Sequence, residues 1–503
     1  MRTRSLTVLT LFAVAGLSTA NGQEPSSNPD YAALARQVER LQEVVQRLEQ
    51  RVEELQAASG KQAGKAEGAG PAPEPGNAIP PQLQLQEDAV SVKEQPTLTA
   101  GRDTFSIISA DGLFRLRIGG HLQVDGKTFY DNKAYYDTSP HQLTNSFYIR
   151  RARPILEGDL GHDISFRFVP DFGNGKTLLY DAYADLKVEP YLVLRGGKFK
   201  TPEGLEELQN DADLTFIERS LATDLVPNRD EGLQIYGDLQ GRASYQLAAV
   251  NGAPVGQNVD GATFQGKTLV GRLVLTPYAP AGLKLLQGLG VGVAASTGQQ
   301  DGAVLPSFIT SGGQAAFFSY GSGSGSSAIV PVAAGNRINY APQMYWYEGP
   351  FGLMAEYTES VQKVSAAIAG QTVPRNIADH AWQMAGSWVL TGEKKSLGSV
   401  APRKGAEWGR SGGLGAWEVV ARYAGLNVDP SAFTVKFADP TKSAQAARTW
   451  TAGLNWYLNY FVKLQFNYEQ THFQGGNVPD RTHPLFSDRP TEKVFEQRLQ
   501  FAF

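Results

Sequence analysis

The feature that most constrains this chain is an alternation of apolar and polar residues with a period of two, which recurs from about residue 113 to the C-terminus. In FRLRIGGHLQVDG, Phe114, Leu116 and Ile118 fall on one face, while Arg115 and Arg117 fall on the other. Successive side chains of a β-strand point to opposite faces, so this pattern indicates strands with one apolar and one polar face. We count sixteen such segments, an even number.

The connections between these segments alternate in length. Long connections follow the first, third and fifth segments, whereas Gly161, Gly241 and Asn459 mark short turns between others. Transmembrane β-barrels of the outer-membrane type have short periplasmic turns and longer external loops. The sequence therefore predicts an all-β protein, a 16-stranded antiparallel transmembrane β-barrel over residues 105–503. Residues 391–413 are the exception, a long connection where a short turn is expected.

The N-terminal part predicts three further segments. Residues 1–22 have two arginines, a short apolar run and small residues, as a secretory signal peptide does; an uncleaved anchor helix is the alternative. Residues 31–57 predict an α-helical coiled coil in the periplasm, because apolar residues follow a heptad spacing; an amphipathic helix packed on its own domain is the alternative. The number of strands in the coil stays open. Residues 58–97 are rich in Pro, Ala and Gly, which predicts a linker.

Two further signals favour membrane insertion. The last segment, KVFEQRLQFAF, alternates and ends in the aromatic residue Phe503, as the C-terminal strands of outer-membrane barrels do. Rings also fall on predicted outward faces near strand ends, where they would form interfacial girdles. These rings are Trp346, Trp382, Trp388, Trp417, Trp450, Trp456, Tyr423 and Tyr468.

Composition argues against several other classes of protein. The chain has no cysteine, and its 6 histidines are dispersed, so we predict no metal site and no cofactor. A formal net charge of -4 argues against nucleic-acid binding. No GxSxG motif is present and no carboxylate pair has a specified geometry, so we predict that the protein is not an enzyme. A secreted soluble β-sandwich remains the alternative fold.

A sixteen-stranded barrel encloses a lumen wide enough for water, and a loop folded inward must narrow it. The best candidate is the connection at residues 200–230, in which LTFIERSLATDL predicts a short helix braced against the wall. The carboxylates of this connection would either face arginines across the pore or pair with the wall. They are Glu203, Glu206, Glu207, Asp211 and Asp213.

Several ordered blocks resemble the phosphate-selective porin O/P family over essentially all of residues 105–503. They include FRLRIGGHLQVDG, RRARPILEGDLGHDISFRFVPDFGNG, GKFKTPEGLEELQNDADLTFIERSLATDLVPNRD, GAWEVVARYAGLNVD and WTAGLNWYLNYFVKLQFNYE. The resemblance implies a homotrimeric porin in outer-membrane lipid, with an anion path lined by arginines and narrowed by inward loops. It also implies that the N-terminal coiled coil assists trimer formation.

Arg150 and Arg151 stand where the family carries an arginine pair on its second strand. Elsewhere the chain departs from the family: His121 replaces an arginine, Glu207 replaces a lysine, and residues 285–336 contain no Lys or Arg. The predicted pore-lining anion contacts are Arg115, Arg117, Arg150, Arg151, Arg167 and Arg272, with Lys463 further along.

The sequence therefore predicts an outer-membrane porin for passive diffusion of small hydrophilic solutes, with anions such as inorganic phosphate as the expected solutes. Two alternatives stay open at this point. The first is a general-diffusion porin without phosphate specificity. The second is a barrel whose main role is to tether the outer membrane to the cell wall through its coiled coil.

Overall fold

The computed structural model describes residues 95–101, 105–130, 143–261, 265–278, 283–407, 412–479, 481–482 and 485–503. The predicted signal peptide, the predicted coiled coil and the predicted linker as far as residue 94 lie outside the described residues. Within the described ranges, no helix is both long enough and apolar enough to cross a membrane.

The described chain is built almost entirely from strands. Two short strands, β1 (Thr97–Ala100) and β2 (Phe105–Ile108), come first. The next nine are β3 (Phe114–Phe129), β4 (Ser146–Leu160), β5 (Ile164–Asp171), β6 (Leu178–Glu189), β7 (Leu192–Lys200), β8 (Arg229–Leu239), β9 (Ala243–Val250), β10 (Thr268–Leu275) and β11 (Leu289–Gln299). A separate hairpin follows, formed by β12 (Phe308–Ile309) and β13 (Ala316–Phe318).

The remaining strands are β14 (Val332–Glu348), β15 (Phe351–Ile368), β16 (Gln371–Val389), β17 (Ala416–Asn427), β18 (Ala444–Tyr457), β19 (Val462–Asn477), the two-residue β20 (Ser487–Asp488) and β21 (Glu492–Ala502). The described helices are single turns: α1 (Leu205–Leu208), α2 (Ser431–Thr434) and the 3-10 helices Leu221–Leu225, Lys284–Leu286 and Gly325–Ser327.

Sixteen of these strands, β3–β11, β14–β19 and β21, form one closed antiparallel barrel. Each pairs with the next along the chain, and β21 pairs with β3 from Val494↔Phe129 to Ala502↔His121, which closes the sheet. The predicted sixteen-stranded barrel is therefore confirmed. Closure satisfies the strand hydrogen bonds without leaving an edge exposed to lipid.

The alternation in the sequence sorts side chains between the two faces of the barrel. In β3, Gln123 and Asp125 are buried inside, whereas Leu122, which precedes them, is exposed outside. Outward rings recur six residues apart on three neighbouring strands, as Trp382 and Trp388 do on β16. The end with the short turns is called the turn end, and the opposite end the loop end. The turn-end girdle contains Trp388, Trp417 and Trp456, and the loop-end girdle contains Trp382, Tyr423 and Trp450.

Strands β15 and β16 continue past the loop-end girdle and meet in a tight turn at Ala369 and Gly370, both with positive φ. The short helix predicted within LTFIERSLATDL is limited to the 3-10 helix Leu221–Leu225. The remaining backbone of this segment is held instead by side chains of the barrel wall, as described below.

Both ends of the barrel chain meet at the turn end. The Phe503 amide donates to the Gly120 carbonyl and the Gly120 amide donates to the Phe503 carbonyl, both at 3.0 Å. Strand β2 pairs with the first residues of β3, directly beyond this point. A side chain at Gly119 would place its Cβ 2.8 Å from the Phe503 carbonyl oxygen, so this close approach of two backbones needs glycine.

Candidate solute pathway

Residues 201–228, the first inward loop, fold into the barrel and lie along the wall formed by β14–β19 and β21. Arg498 donates to the Ile217 carbonyl at 2.6 Å, and Lys463 donates to the Ala212 and Leu214 carbonyls at 3.0 and 3.1 Å. Buried wall side chains thus replace the hydrogen bonds that a helix would have given this backbone. The predicted inward position of residues 200–230 agrees with this placement.

A second inward loop, residues 300–331, enters from the loop end and was not predicted. The Gly312 amide donates to Glu469 at 2.6 Å, and the Gly313 amide donates to Glu492 at 3.0 Å, so the tip is fixed to the wall. A Cβ on Gly312 would lie 2.5 Å from Val494 Cγ1. The tip therefore needs glycine to approach this closely.

The second inward loop brings an apolar core into the lumen. Phe308, Phe317 and Phe318 pack with Leu221 and Leu225 of the first inward loop and with inward side chains of the wall. The wall side chains in this cluster include Val364, Ile377, Ala381, Leu426, Ala447 and Phe473. The three phenylalanines stand out in a connection that is otherwise rich in Gly and Ser, and they could have indicated burial. The search for alternating residues did not consider them.

The long connection at residues 390–415 is the exception noted in the sequence, and its described part contacts the first inward loop from the turn end. Lys395 pairs with Glu418 at 2.9 Å and donates to Thr215 at 3.2 Å. The Ser399 amide donates to Asp213 at 2.9 Å. Three segments therefore occupy the side of the lumen next to β14–β19.

The opposite side of the lumen holds a cavity of about 350 Å³ between the first inward loop and strands β4, β6 and β8. Five arginines and four carboxylates line it, a formal balance of one positive charge, together with Tyr180. The charged lining residues are Arg150, Arg151, Arg153, Arg219, Arg229, Glu207, Asp211, Glu218 and Asp224. This cavity is the candidate constriction of a solute path.

Arg150 and Arg151 both reach the cavity although they are adjacent in sequence. A β-bulge leaves Arg150 as an extra residue, since Gln123 pairs with Arg151 and Val124 pairs with Ile149. Arg150 forms a bidentate pair with Glu218 at 2.6 and 3.0 Å, and Arg151 donates to Gln123 at 2.8 Å. A regular strand would have turned one of the two arginines toward lipid.

Arg153 and Arg229 flank the ring of Tyr180, with their guanidinium carbons 3.7 and 4.3 Å from its centroid. Arg153 also pairs with Asp171 and Asp211, and Arg229 pairs with Asp181 at 2.9 Å. These two cavity arginines were missing from the predicted set. Arg153 shares the parity of Arg151, so alternation alone could have identified it, whereas Arg229, the first residue of β8, falls within the connection predicted at residues 200–230.

Four carboxylates of the first inward loop are tied to arginines rather than left to face them across open space: Glu206, Glu207, Asp211 and Glu218. Asp211 lies 2.6 Å from Arg219 and 3.5 Å from Arg151. Burial alone would raise the pKa of Asp211, but Arg153, Arg219 and Arg151 outweigh burial and hold this pKa well below its usual range.

The same balance applies to Glu218. Burial would raise the pKa of Glu218, but Arg150 and Arg151 hold it well below its ordinary value. Glu206 likewise pairs with the wall, 3.2 Å from Arg422. Of the two arrangements open for the loop acids, pairing with arginines of the wall is the one that Glu206 and Asp211 adopt.

Three other predicted contacts, Arg115, Arg117 and Arg167, lie outside the cavity toward the turn end. Arg117 is 3.4 Å from Glu157, which also pairs with Arg167. Arg115 lies 3.7 Å from Asp159, and its side chain is about half exposed. These arginines continue a line of inward cations from the constriction along β3–β5.

The structure does not bring Arg272 and Lys463 to this cavity. Arg272 points inward from β10, but it donates to Gln343 at 2.8 Å and to Gln246 at 3.1 Å, away from the constriction. Lys463 supports the first inward loop, as described above. Among the described residues, no group of three or more His, Cys, Asp or Glu is placed to hold a metal ion.

Comparison with known proteins gives concordant matches. Residues 117–503 match the family described as Phosphate-selective porin O and P, from the fourth residue of β3 to the C-terminus. Porin O of Pseudomonas aeruginosa is 24% identical over 429 residues, which cover 79% of this chain and 90% of that porin.

Solved structures with similar folds include OmpT of Vibrio cholerae, with a TM-score of 0.48 and 8% identity over 81% of this chain and 100% of that chain. An anion-selective porin from Comamonas acidovorans aligns with a TM-score of 0.44 and 12% identity, over 78% of this chain and 100% of that chain.

Proposed function

The chain belongs to the phosphate-selective porin O and P family and forms an outer-membrane porin channel, and from this premise we propose that the channel passes small anions, inorganic phosphate among them. The observation that carries the proposal is the cavity beside the first inward loop, which five arginines line. An anion that sheds part of its water there finds guanidinium donors in its place.

The charge balance of the cavity sets the expected strength of this preference. Four carboxylates accompany the five arginines, and the strongest pairs, such as Arg150 with Glu218, are buried and short. The cavity keeps a formal balance of one positive charge, but arginines that are bound to carboxylates have fewer N–H donors free for a solute. We therefore propose an anion preference that is moderate rather than exclusive.

Single-channel recording in planar bilayers tests the proposal. The purified channel should conduct in KCl, and in a KCl gradient its reversal potential should have the sign of a chloride-preferring pore. A reversal potential of the opposite sign would overturn the anion preference. Absence of conductance in inserted protein would favour the tethering role that the sequence left open.

A general-diffusion porin is the second candidate function, and a specific observation favours it. Residues 285–336 contain no Lys or Arg, so the second inward loop gives the path no cation. Adding phosphate to a chloride bath separates the two candidates. A phosphate-binding path should show a saturable fall in chloride current, whereas a general-diffusion path should show only the change expected from bulk conductivity.

We propose three further features of the N-terminal part and the assembly. Residues 1–22 act as a signal peptide, residues 31–57 form a periplasmic coiled coil, and this coil supports a homotrimer. The heptad spacing supports the second and third points. Deleting residues 31–57 should lower the fraction of trimer measured by light scattering after purification. An unchanged mass would contradict the proposed role of the coil.

A further inference from the structure

A row of polar side chains crosses the outer face of the barrel at the loop end, where apolar residues would meet lipid. This outer polar row consists of Glu359 on β15, His380 on β16, Asn427 on β17, Arg448 on β18 and His472 on β19, all on outward positions. It lies just beyond the loop-end girdle, since Arg448 is two residues from Trp450 and His380 is two residues from Trp382. The row therefore marks the outer limit of the apolar band.

Hydrogen bonds organise the centre of the outer polar row around Arg448. Asn427 Nδ2 lies 2.7 Å from His380 Nε2, and Arg448 donates to Asn427 Oδ1 at 2.6 Å. Other donors of Arg448 reach the Leu426 and Ala447 carbonyls at 3.3 and 3.0 Å. Each of these partners is a neutral oxygen, so the hydrogen bonds of this guanidinium within the described chain leave its charge uncompensated.

The carboxylate in the row is occupied elsewhere. Glu359 accepts hydrogen bonds from the hydroxyls of Tyr340 and Tyr357. The side of the row that contains Arg448 and His472 therefore presents a cation and an imidazole next to the membrane. A negatively charged group from outside the chain would complement this part of the surface.

An apolar groove of about 850 Å³ lies directly below the row, between the two girdles. The groove is deep at Gly386 because this residue has no side chain, and Gly386 pairs with Leu353 on one side and Ala421 on the other. Trp382 closes it at the loop end and Trp388 closes it at the turn end. The Gly425 Cβ position would lie 3.0 Å from Arg448 Cδ and 3.1 Å from Trp382 Cε2, so the arginine stem borders the upper end of the groove.

We propose that this surface binds a phosphate-bearing lipid of the outer leaflet, with a headgroup phosphate on Arg448, between His380 and His472, and an acyl chain in the groove below. Charge complementarity selects this occupant, because a lipid phosphate brings the missing negative charge at the level of the headgroups. A second copy of the chain would have to bring a carboxylate to the same point. The site is separate from the solute path, since its side chains face away from the lumen.

Native mass spectrometry of the full-length channel in detergent tests the proposal, with bisphosphorylated lipid A as the probe and the same lipid stripped of both phosphates as its control. Wild-type protein should retain the phosphorylated lipid at least tenfold more strongly than the stripped lipid. The double variant Arg448→Gln with His472→Gln should lose that tenfold difference. The matched variant Lys284→Gln, which removes an exposed cation at the turn end, should keep it.

Gly386→Leu provides an independent variant, because its Cβ fits at 3.5 Å from Leu353 and the added side chain fills the groove without changing any charge. It should weaken retention of both lipids, while heat-modifiable gel mobility confirms a folded barrel. Equal retention of phosphorylated lipid by wild type and by the double variant would overturn the proposal. A change of oligomeric mass in the double variant with unchanged lipid retention would also overturn it, and would assign the surface to subunit contact.

Discussion

Removing the positive charge of Arg150 and Arg151 should reverse the ion preference of the channel. The cavity has five arginines and four carboxylates, so replacing both residues by glutamine changes its formal balance from one positive to one negative charge. Two unit charges about 4 Å apart interact by about 1 kcal/mol in water, so the double change is worth about 2 kcal/mol for a passing ion. Since each 1.4 kcal/mol corresponds to a factor of ten, and salt screens part of this energy, we expect about a tenfold fall in the anion-to-cation permeability ratio.

The assay is the reversal potential of single channels in a KCl gradient, which should change sign in Arg150→Gln with Arg151→Gln. Two matched variants separate charge from structure. Arg150→Lys with Arg151→Lys keeps both charges and should keep the wild-type sign. Arg150→Gln with Glu218→Gln removes one charge of each sign and should also keep it. A double-glutamine channel that assembles normally yet has the wild-type reversal potential would refute the reasoning.

Three further predictions concern the loops, the buried acids and the end of the chain. Gly312→Val should displace the tip of the second inward loop from the wall, lower the free energy of unfolding by about 1–3 kcal/mol through overpacking, and raise single-channel conductance. Gly398→Ala is the control, because a Cβ has room there, and unchanged conductance in Gly312→Val would contradict the tip contact. The pKa values of Asp211 and Glu218 are lowered in the folded state, so their contribution to stability is complete above about pH 5 and is lost as the pH falls through their folded-state pKa values. Melting temperatures of wild type should therefore fall as the pH is lowered below about 5. Asp211→Asn with Glu218→Gln should lower the free energy of unfolding at pH 7 by roughly 3–5 kcal/mol and flatten this acid dependence; a parallel acid profile would argue against it. Deleting Phe503 removes two backbone hydrogen bonds at the barrel seam and should lower the heat-modifiable fraction on gels, whereas Phe503→Tyr should not, and equal fractions would contradict the seam contact.

Strand number and facing were predictable because one physical requirement repeats along the chain. Each strand of a wall between lipid and water needs alternating apolar and polar residues, as the outward Leu122 and the inward Gln123 illustrate. This alternation is visible within each short stretch of sequence. Alternation is harder to read where β15 and β16 project beyond the loop-end girdle, because Pro374 lies within β16 and proline is uncommon inside strands.

The inside of the barrel was less predictable, because it depends on contacts between residues far apart in sequence. The first inward loop is held by Arg498 and Lys463, which lie more than two hundred residues away from it. The pairing of Arg150 with Glu218 depends on a bulge whose register is set by β3. No local pattern specifies such contacts, so the predicted list included Arg272, which is remote from the cavity, and omitted Arg153.

The inward loops confine the open cavity to one side of the lumen, and this has a consequence for how channels of this kind could diversify. All nine charged lining residues come from a single stretch of about eighty residues, from Arg150 to Arg229, which includes the first inward loop. Swapping that stretch between relatives would exchange most of the selectivity determinants at once and leave the far wall as an unchanged frame. Ion preference could then evolve, or be engineered, by exchanging this one stretch of sequence.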